Sequence, residues 1–392
     1  MGRFDSVIIR YGGEIGIKAD WTRRAYERRL LANIRKSLKH HGVPCEGIIR
    51  KYGRFYLKTS SAEEAASAVS RVFGVSSVSA ALETTSKLED IVANSLELAG
   101  SGLKRGDRFA VRCRRTGEQA YSSVDVCREV GQRILDGFPE LNLKVNLKCP
   151  DFELGVEVRD DRAFLYSDIV KGVGGMPLGT QPKLAGLLSG GLDSAVACWL
   201  VMKRGCPVVP IYFDNTPFTD ERTTQRALDT AKVLFNWATG FSTRVYVVPH
   251  GANLEEFRRK CPRRLVCLLC KRMMYRIAER IADMEHAEGI VTGEAIGEQA
   301  SQTLRNLRVL DSAAEKYPVH RPLLGFDKAE TEQIARKIGT YDVAIRGAKG
   351  CSAVSSSPRT AAKLGEVEQA EKKLNIEALI EKSLNSLKKI SL

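Results

Sequence analysis

The sequence predicts a multidomain chain, α+β in its first part and α/β with a doubly wound parallel sheet in its last. Three observations carry this. The chain has 392 residues, enough for two or three domains and a large core. Up to about residue 170 the strands and helices follow one another irregularly, whereas from Lys183 they alternate, which is the signature of an open parallel sheet covered on both faces. Apolar residues make up 43% and charged residues 28% of the chain, ordinary for a globular protein. No apolar run approaches the roughly 20 residues of a membrane span. Ten scattered cysteines without a framework fit a reducing cytoplasm better than secretion.

The N-terminus has no signal-peptide core. Gly2 and Ser6 match a loose acylation pattern, yet the stretch reads as the lead-in to a first strand, 6–11. Asp20 is expected to cap a helix over 21–40, with apolar positions at Tyr26, Leu30, Ile34 and Leu38. A hairpin around Gly53 (47–52 and 54–58), a helix over 62–72 and a strand over 75–82 complete a βαββαβ order. That order is the ferredoxin-like split βαβ, assigned to residues 1–82. Residues 1–58 hold 14 Lys/Arg against 5 Asp/Glu, within a net charge of +14 for the chain. Arg23, Arg24, Arg28, Arg29, Arg35, Lys36 and Lys39 crowd the first helix, a distribution that suits a phosphate-backbone partner.

Residues 83–170 read as a second unit. A helix over 88–98 precedes a strand over 108–114, a helix covers 123–135, and two strands, 152–158 and 163–168, flank a turn at Asp160–Asp161. Followed by GVGGMPLG at 172–179, this layout resembles a THUMP domain, an RNA-binding module attached to RNA-modifying enzymes.

Residues 171–392 form the third. Strands are expected at 184–188, 207–213, 243–248 and 288–292, and ligands of such sheets sit at the C-terminal strand ends. The first of these strands runs into Ser189, Gly190, Gly191, Leu192, Asp193 and Ser194, and a helical apolar pattern follows. A small-residue turn before a helix N-terminus is an anion site: its backbone N–H groups point outward, the helix dipole favours negative charge, and glycine lets a phosphate approach. Ser189 and Ser194 add hydroxyl donors, and Asp193 is a candidate for Mg²⁺. No GK[ST] follows, so this is not a Walker loop. It resembles the SGGxDS signature of the PP-loop ATP pyrophosphatases, which adenylate a carbonyl oxygen and release pyrophosphate. The lysine- and glutamate-rich stretch from Ala362 is expected to be a surface or docking helix without chemistry.

Three further patterns follow. Cys267-Leu-Leu-Cys270 has the spacing of a redox dithiol or of a metal or cluster clamp, and the same spacing also arises by chance. Lys271 directly after it is placed to reach a phosphate. VTGEAIGEQASQTL, 291–304, follows a strand, with Gly293 for close approach and Gln299 or Gln302 to read a base or phosphate edge. Cys351 lies in the loop GAKGCSAVSSSP, where Lys349 and Arg346 are expected to favour its thiolate.

Together, SGGLDS, CKRMMYRIAERIA (270–282), TGEAIGEQASQTL (292–304), YPVHRPLLGFDK (317–328) and IGTYDVAIRGAKGCSAV (338–354) resemble the tRNA 4-thiouridine synthetases, known also as thiamine-pathway sulfurtransferases. Arg10, Tyr11, Gly13, Glu14, Ile15 and Lys18 resemble the family's start, with one extra glycine. The resemblance implies ATP contacts at Leu187, Leu188, Tyr212, Phe213, Lys271, Gly293 and Gln302, an essential Asp193 and a catalytic Cys351. It implies a cytoplasmic enzyme, tRNA bound through residues such as Arg23, Arg24, Arg28 and Lys36, transfer of sulfur to the C4 position of uridine 8, and a homodimer.

Many bacterial members continue into a rhodanese domain that carries a persulfide. The sequence ends at Leu392 without one, so the sulfur is expected to arrive otherwise, from a cysteine desulfurase or from sulfide. Related archaeal-type enzymes hold an iron–sulfur cluster on three cysteines, and Cys267, Cys270 and Cys351 supply that number. A three-cysteine [4Fe–4S] site is therefore expected, with a metal-free relay from Cys351 persulfide to the CxxC pair and a zinc site as the rivals. Sulfur transfer to a carrier protein for the thiamine thiazole, and tRNA binding without catalysis, are the alternative functions.

Overall fold

The computed structural model describes residues 4–392; Gly2, with its acylation pattern, lies outside them. The chain divides into two compact units, Met1–Pro177 and Leu178–Leu392. Among the described residues, no helix is long and apolar enough to cross a membrane.

In the first unit the elements run β1 (Ser6–Tyr11), a single turn α1 (Gly13–Gly16), α2 (Asp20–His40), β2 (Gly47–Lys51), β3 (Arg54–Lys58), α3 (Ala62–Ser70), β4 (Val75–Thr85), α4 (Leu88–Gly102), β5 (Arg108–Thr116), α5 (Ser123–Gly137), β6 (Lys144–Val145), β7 (Phe152–Arg159), β8 (Arg162–Tyr166) and β9 (Val170–Lys171). One sheet joins them in the order β2-β3-β1-β4-β8-β7-β5-β6, with β9 on β4. The 11-residue β4 is the joint. Its first part pairs antiparallel with β1, Val78 opposite Ile9, and its last part pairs with β8, Leu82 opposite Leu165. The expected boundary at 82/83 thus falls inside a strand. Two cores result, one around Ile9, Leu30, Ile34 and Phe55 and one around Leu98, Phe109, Val130 and Leu154.

Helix α2 buries Leu30, Ile34 and Leu38 at helical spacing and exposes Arg24, Arg28, Arg35, Lys36 and Lys39, as an amphipathic surface helix must. Two details differ from expectation. Asp20 is the first helical residue, not the cap. Ala19 holds the cap position with no side-chain bond, and the Asp20 carboxylate accepts from Arg23 at 2.6 Å. Arg23 is consequently half-buried and engaged, unlike its neighbours. Helix α5 is held by a capping box between Ser122 and Asp125.

The second unit contains β10 (Lys183–Leu187), α6 (Leu192–Lys203), β11 (Val208–Asp214), α7 (Glu221–Phe235), β12 (Arg244–Pro249), α8 (Gly251–Lys260), α9 (Val266–Glu285), β13 (Ala287–Val291), α10 (Leu304–Asp311), β14 (Val319–His320), α11 (Lys328–Ile338), a short α12 (Tyr341–Ala344), α13 (Leu364–Glu371), α14 (Ile376–Asn385) and β15 (Lys388–Ser391). The sheet order is β14-β13-β10-β11-β12-β15. The strands from β14 to β12 are parallel neighbours, with Leu187 beside Ile211 and Gly186 beside Val291. The chain leaves β10 toward β11 on one side and returns at β13 on the other, so the loops after β10, β11 and β13 open a crevice at a topological switch point.

The tail from Ala362 departs from expectation. It is not a surface helix. Helices α13 and α14 pack on α9 and β15 adds antiparallel to β12, Ile390 opposite Val245. Val367 is fully buried. Glu371 accepts from Arg272 at 2.8 and 3.0 Å and from Arg276 at 2.6 and 3.0 Å. Four residues with a single apolar one, Ile390, cannot announce a strand, but the lysines suit the exposed side of an edge.

Candidate active site

The crevice of the second unit is a cavity of about 760 Å³, within the usual size range of small-molecule sites. Its first wall is the loop between β10 and α6. Ser194 Oγ donates to the Gly191 carbonyl at 3.2 Å, which uses its single hydrogen. It therefore accepts from the Ser189 N–H and from Ser189 Oγ, both at 3.1 Å. The loop thus ties itself into a fixed shape. Gly190 has φ +77°, and a Cβ there would lie 2.8 Å from the Ala227 nitrogen, so only glycine lets the loop pass against α7. Gly191 caps α6 in extended conformation. This is a preorganised anion cradle on a helix N-terminus.

The second wall comes from the segment after β13. A Cβ on Gly293 would sit 2.5 Å from Asp193 C and Ser194 N, so this segment presses directly on the first turn of α6. Glu294, buried next to it, accepts from Lys271 Nζ at 2.8 Å, Tyr275 Oη at 2.6 Å and Arg321 Nε at 2.8 Å. Burial alone would raise the Glu294 pKa; Lys271, Tyr275 and Arg321 outweigh it and hold the carboxyl at about 2. Lys271 is thereby held in place on the cavity wall.

The third wall is sulfur. Cys267 and Cys270, in the first turns of α9, and Cys351, in the loop 347–358, border the same cavity. Burial pushes the Cys267 and Cys270 thiols up. Cys270 Sγ lies 3.4 Å from Nε2 of His250, a fully buried imidazole whose pKa burial lowers to about 3.

Of the residues expected at the site, Leu187, Ser189, Gly191, Asp193, Ser194, Lys271, Gly293, Gln302, Cys267, Cys270 and Cys351 border the cavity, as does Gln299. Others do not. Leu188, Tyr212 and Phe213 are buried in the sheet, because both faces of a parallel strand are covered. Tyr212 Oη pairs with Thr224 at 3.2 Å, and the Phe213 ring packs on His250. Gly190 acts from behind the loop. Asp193, expected to hold Mg²⁺, is engaged by Lys328 Nζ at 2.9 Å, which also reaches Glu298 at 2.5 Å. Burial lifts the Asp193 pKa against the pull of Lys328. Arg346 does not attend Cys351, being drawn to Asp229 at 2.9 Å, whereas Lys349 borders the cavity. The three-cysteine site needs a correction as well. Among the described residues, no group of three or more His, Cys, Asp or Glu side chains is gathered as a metal ion requires. The thiols come from two elements, and Cys270 faces His250. All three nonetheless place soft sulfur donors on one cavity.

Residues not expected complete the site: Glu294, Tyr275 and Arg321 around Lys271, and Lys328 on Asp193. Asn215 Oδ1, Thr219 Oγ1, Arg226 Nε and Gln302 Oε1 are buried on the cavity without a hydrogen-bond partner. Unsatisfied buried polar atoms are costly, and their convergence on one cavity marks the place of a polar ligand. The first four of these had a signal in the sequence only as members of quoted stretches, Tyr275 in CKRMMYRIAERIA, Glu294 in TGEAIGEQASQTL, and Arg321 and Lys328 in YPVHRPLLGFDK.

The profile of the thiamine biosynthesis protein (ThiI) family matches residues 179–376, that of the ThiI ferredoxin-like domain residues 6–79, and that of the THUMP domain residues 85–168. A probable tRNA sulfurtransferase of Methanosarcina acetivorans is 42% identical, covering all of this chain and 95% of its own length. One of Methanosarcina mazei is 41% identical over 98% and 95%. A crystal structure of a 4-thiouridine synthetase–RNA complex with bound ATP has 31% identity, covers 99% of each chain and superposes with a TM-score of 0.87.

Proposed function

The chain belongs to the ThiI family, and from that premise we propose that it is an ATP-dependent tRNA sulfurtransferase that converts uridine 8 to 4-thiouridine. The observation that carries this reading is one cavity bordered by both a phosphate cradle and three thiols. The names of its relatives support sulfur transfer to tRNA, and the ATP and RNA bound to its structural neighbour support the two substrates. We read residues 1–82 and 83–170 as the ferredoxin-like and THUMP domains that hold tRNA, chiefly by its backbone. The exposed basic face of α2, with Arg24, Arg28 and Lys36, is one contact, and Arg23 supports it. Residues 171–392 carry the chemistry.

In this reading the uridine C4 oxygen attacks the α-phosphorus of ATP and pyrophosphate leaves. The 189–194 loop, Lys271 and Lys328 meet the charge that develops on the leaving group. Mg²⁺, held by Asp193, would add charge neutralisation there. The adenylated oxygen is then a leaving group: a Cys351 persulfide, charged by exchange with the persulfide of a cysteine desulfurase, attacks C4 with its outer sulfur, displaces AMP and leaves a Cys351–S–S–C4 disulfide. Cys267, on the same cavity as Cys351, attacks the Cys351 sulfur of that disulfide, which releases 4-thiouridine and leaves a Cys267–Cys351 disulfide for an external thiol to reduce. An iron–sulfur cluster on Cys267, Cys270 and Cys351 would instead offer sulfide on an open iron.

Nucleoside mass spectrometry of tRNA incubated with the protein, ATP and either sulfide or a cysteine desulfurase tests the proposal. Cys351→Ser abolishes 4-thiouridine and keeps ATP binding; Asp193→Ala loses pyrophosphate release. Retained thiolation in Cys351→Ser refutes the sulfur role. Anaerobic purification with iron and sulfide assays separates the two carriers: colourless, iron-free protein that thiolates excludes the cluster. The family's name, thiamine biosynthesis protein, favours one second arm, a sulfur-carrier protein in place of tRNA.

A further inference from the structure

A buried chain of hydrogen bonds runs from the C-terminal helix to the sulfur site, and each proton in it is fixed by the next. Ser383, on α14, donates its one hydroxyl hydrogen to the Leu379 carbonyl at 2.9 Å. Its Oγ must therefore accept from Asn253 at 2.9 Å, so the amide nitrogen of Asn253, not its oxygen, faces it. The same nitrogen lies 3.1 Å from His250 Nδ1 and gives it the second hydrogen. Nδ1 accordingly carries none. His250 is fully buried between the rings of Phe213 and Phe257, which excludes the imidazolium. A neutral imidazole has one N–H, and it is left on Nε2, 3.4 Å from Cys270 Sγ.

We propose that His250 is a positioning residue for sulfur transfer: a neutral Nε2–H donor, its tautomer imposed by Asn253 and Ser383, that holds the Cys270 sulfur in place. The geometry excludes the opposite role. With its lone pair turned to Asn253, His250 cannot take a proton from Cys270. A donor aimed at the sulfur holds the Cys270 side chain in one orientation on the cavity. The inference deepens the proposed function and rests on it for its catalytic consequence, though not for the hydrogen bond itself.

The full chain has five histidines, so histidine-selective ¹⁵N labelling gives a tractable spectrum, with His250 assigned by its loss in His250→Gln. The expected signature is a protonated Nε2 and a bare Nδ1. In Asn253→Asp the carboxylate can only accept, and the proton moves to Nδ1. A wild-type Nδ1–H, or a doubly protonated ring, overturns the proposal. The catalytic arm uses rescue. His250→Phe lowers single-turnover thiolation about tenfold or more with ATP binding kept, while His250→Gln, whose amide can place an N–H where Nε2 stood, recovers it to within about threefold. Equal loss in both, or no loss in His250→Phe, refutes the positioning role. Full thiolation by Cys270→Ser sinks the sulfur-site reading for Cys270 instead, and leaves the tautomer result standing.

Discussion

Replacing Gly293 by alanine tests whether the nucleotide site depends on one backbone approach. The added Cβ would stand 2.5 Å from Asp193 C and Ser194 N and 2.7 Å from Asp193 O. Carbon needs about 3.5 Å from such atoms, so the segment after β13 must retreat by roughly 1 Å from the first turn of α6. All three neighbours are backbone, held by the helix and by the Ser189–Ser194 bonds, and none can swing aside. Overpacking of this kind costs about 1–3 kcal/mol, a fall in melting temperature of roughly 2–10 °C for a unit of this size. The retreat also carries Glu294, and with it Lys271, off the cavity wall. A displacement of about 1 Å near reacting groups is worth on the order of a hundredfold in rate. Calorimetric titration with ATP and a pyrophosphate-release assay should show about tenfold weaker binding and about hundredfold slower adenylation. Gly325→Ala is the control, since a Cβ there meets nothing within 4 Å. ATP binding and adenylation by Gly293→Ala equal to those of the control would refute the argument.

Two further outcomes follow from charges in the same unit. Glu294 has a folded pKa of about 2 against about 4.3 for an unfolded glutamate, so its stabilisation is complete above about 4.3 and is lost as pH falls toward 2. In urea unfolding, the deficit of Glu294→Gln relative to wild type should be largest near neutrality and shrink below pH 4; a deficit independent of pH contradicts the ionised state. Glu371→Ala leaves the buried Arg272 without its carboxylate, a loss of about 3–5 kcal/mol, read as a large drop in thermal midpoint of the second unit; a shift under about 2 °C contradicts it.

What could be read from the sequence was local. The 189–194 turn lies wholly within six residues, and its strand, glycines and helix start announce it together. Four of the five parallel strands, β10 to β13, lie within a residue of the expected bounds, because apolar runs bounded by turns mark them, whereas the two-residue β14 carries no such run. Long-range pairings were not legible. Lys328 meets Asp193 across 135 residues, and Arg321 reaches Glu294 through the fold alone. Tyr212 and Phe213 lie in β11, which ends at the site, but alternation along the strand decides which side chains face the crevice, and continuous apolar sequence conceals it. His250 gave no signal at all, since a histidine is a partner for sulfur only when folding brings one to it.

The docking of α13 and α14 on α9 also fixes an order of events during synthesis. Translation delivers α9, with Cys267, Cys270 and the buried Arg272, before it delivers Glu371 and Ser383, which complete their surroundings. Domains fold as units, from the N-terminus onward, as the chain emerges, so the first unit can reach its fold while the second still lacks a counter-charge for Arg272 and the last link to His250. A nascent chain halted before Leu364 would present a finished first unit joined to a second in which Arg272 and Asn253 still lack the partners that the tail supplies.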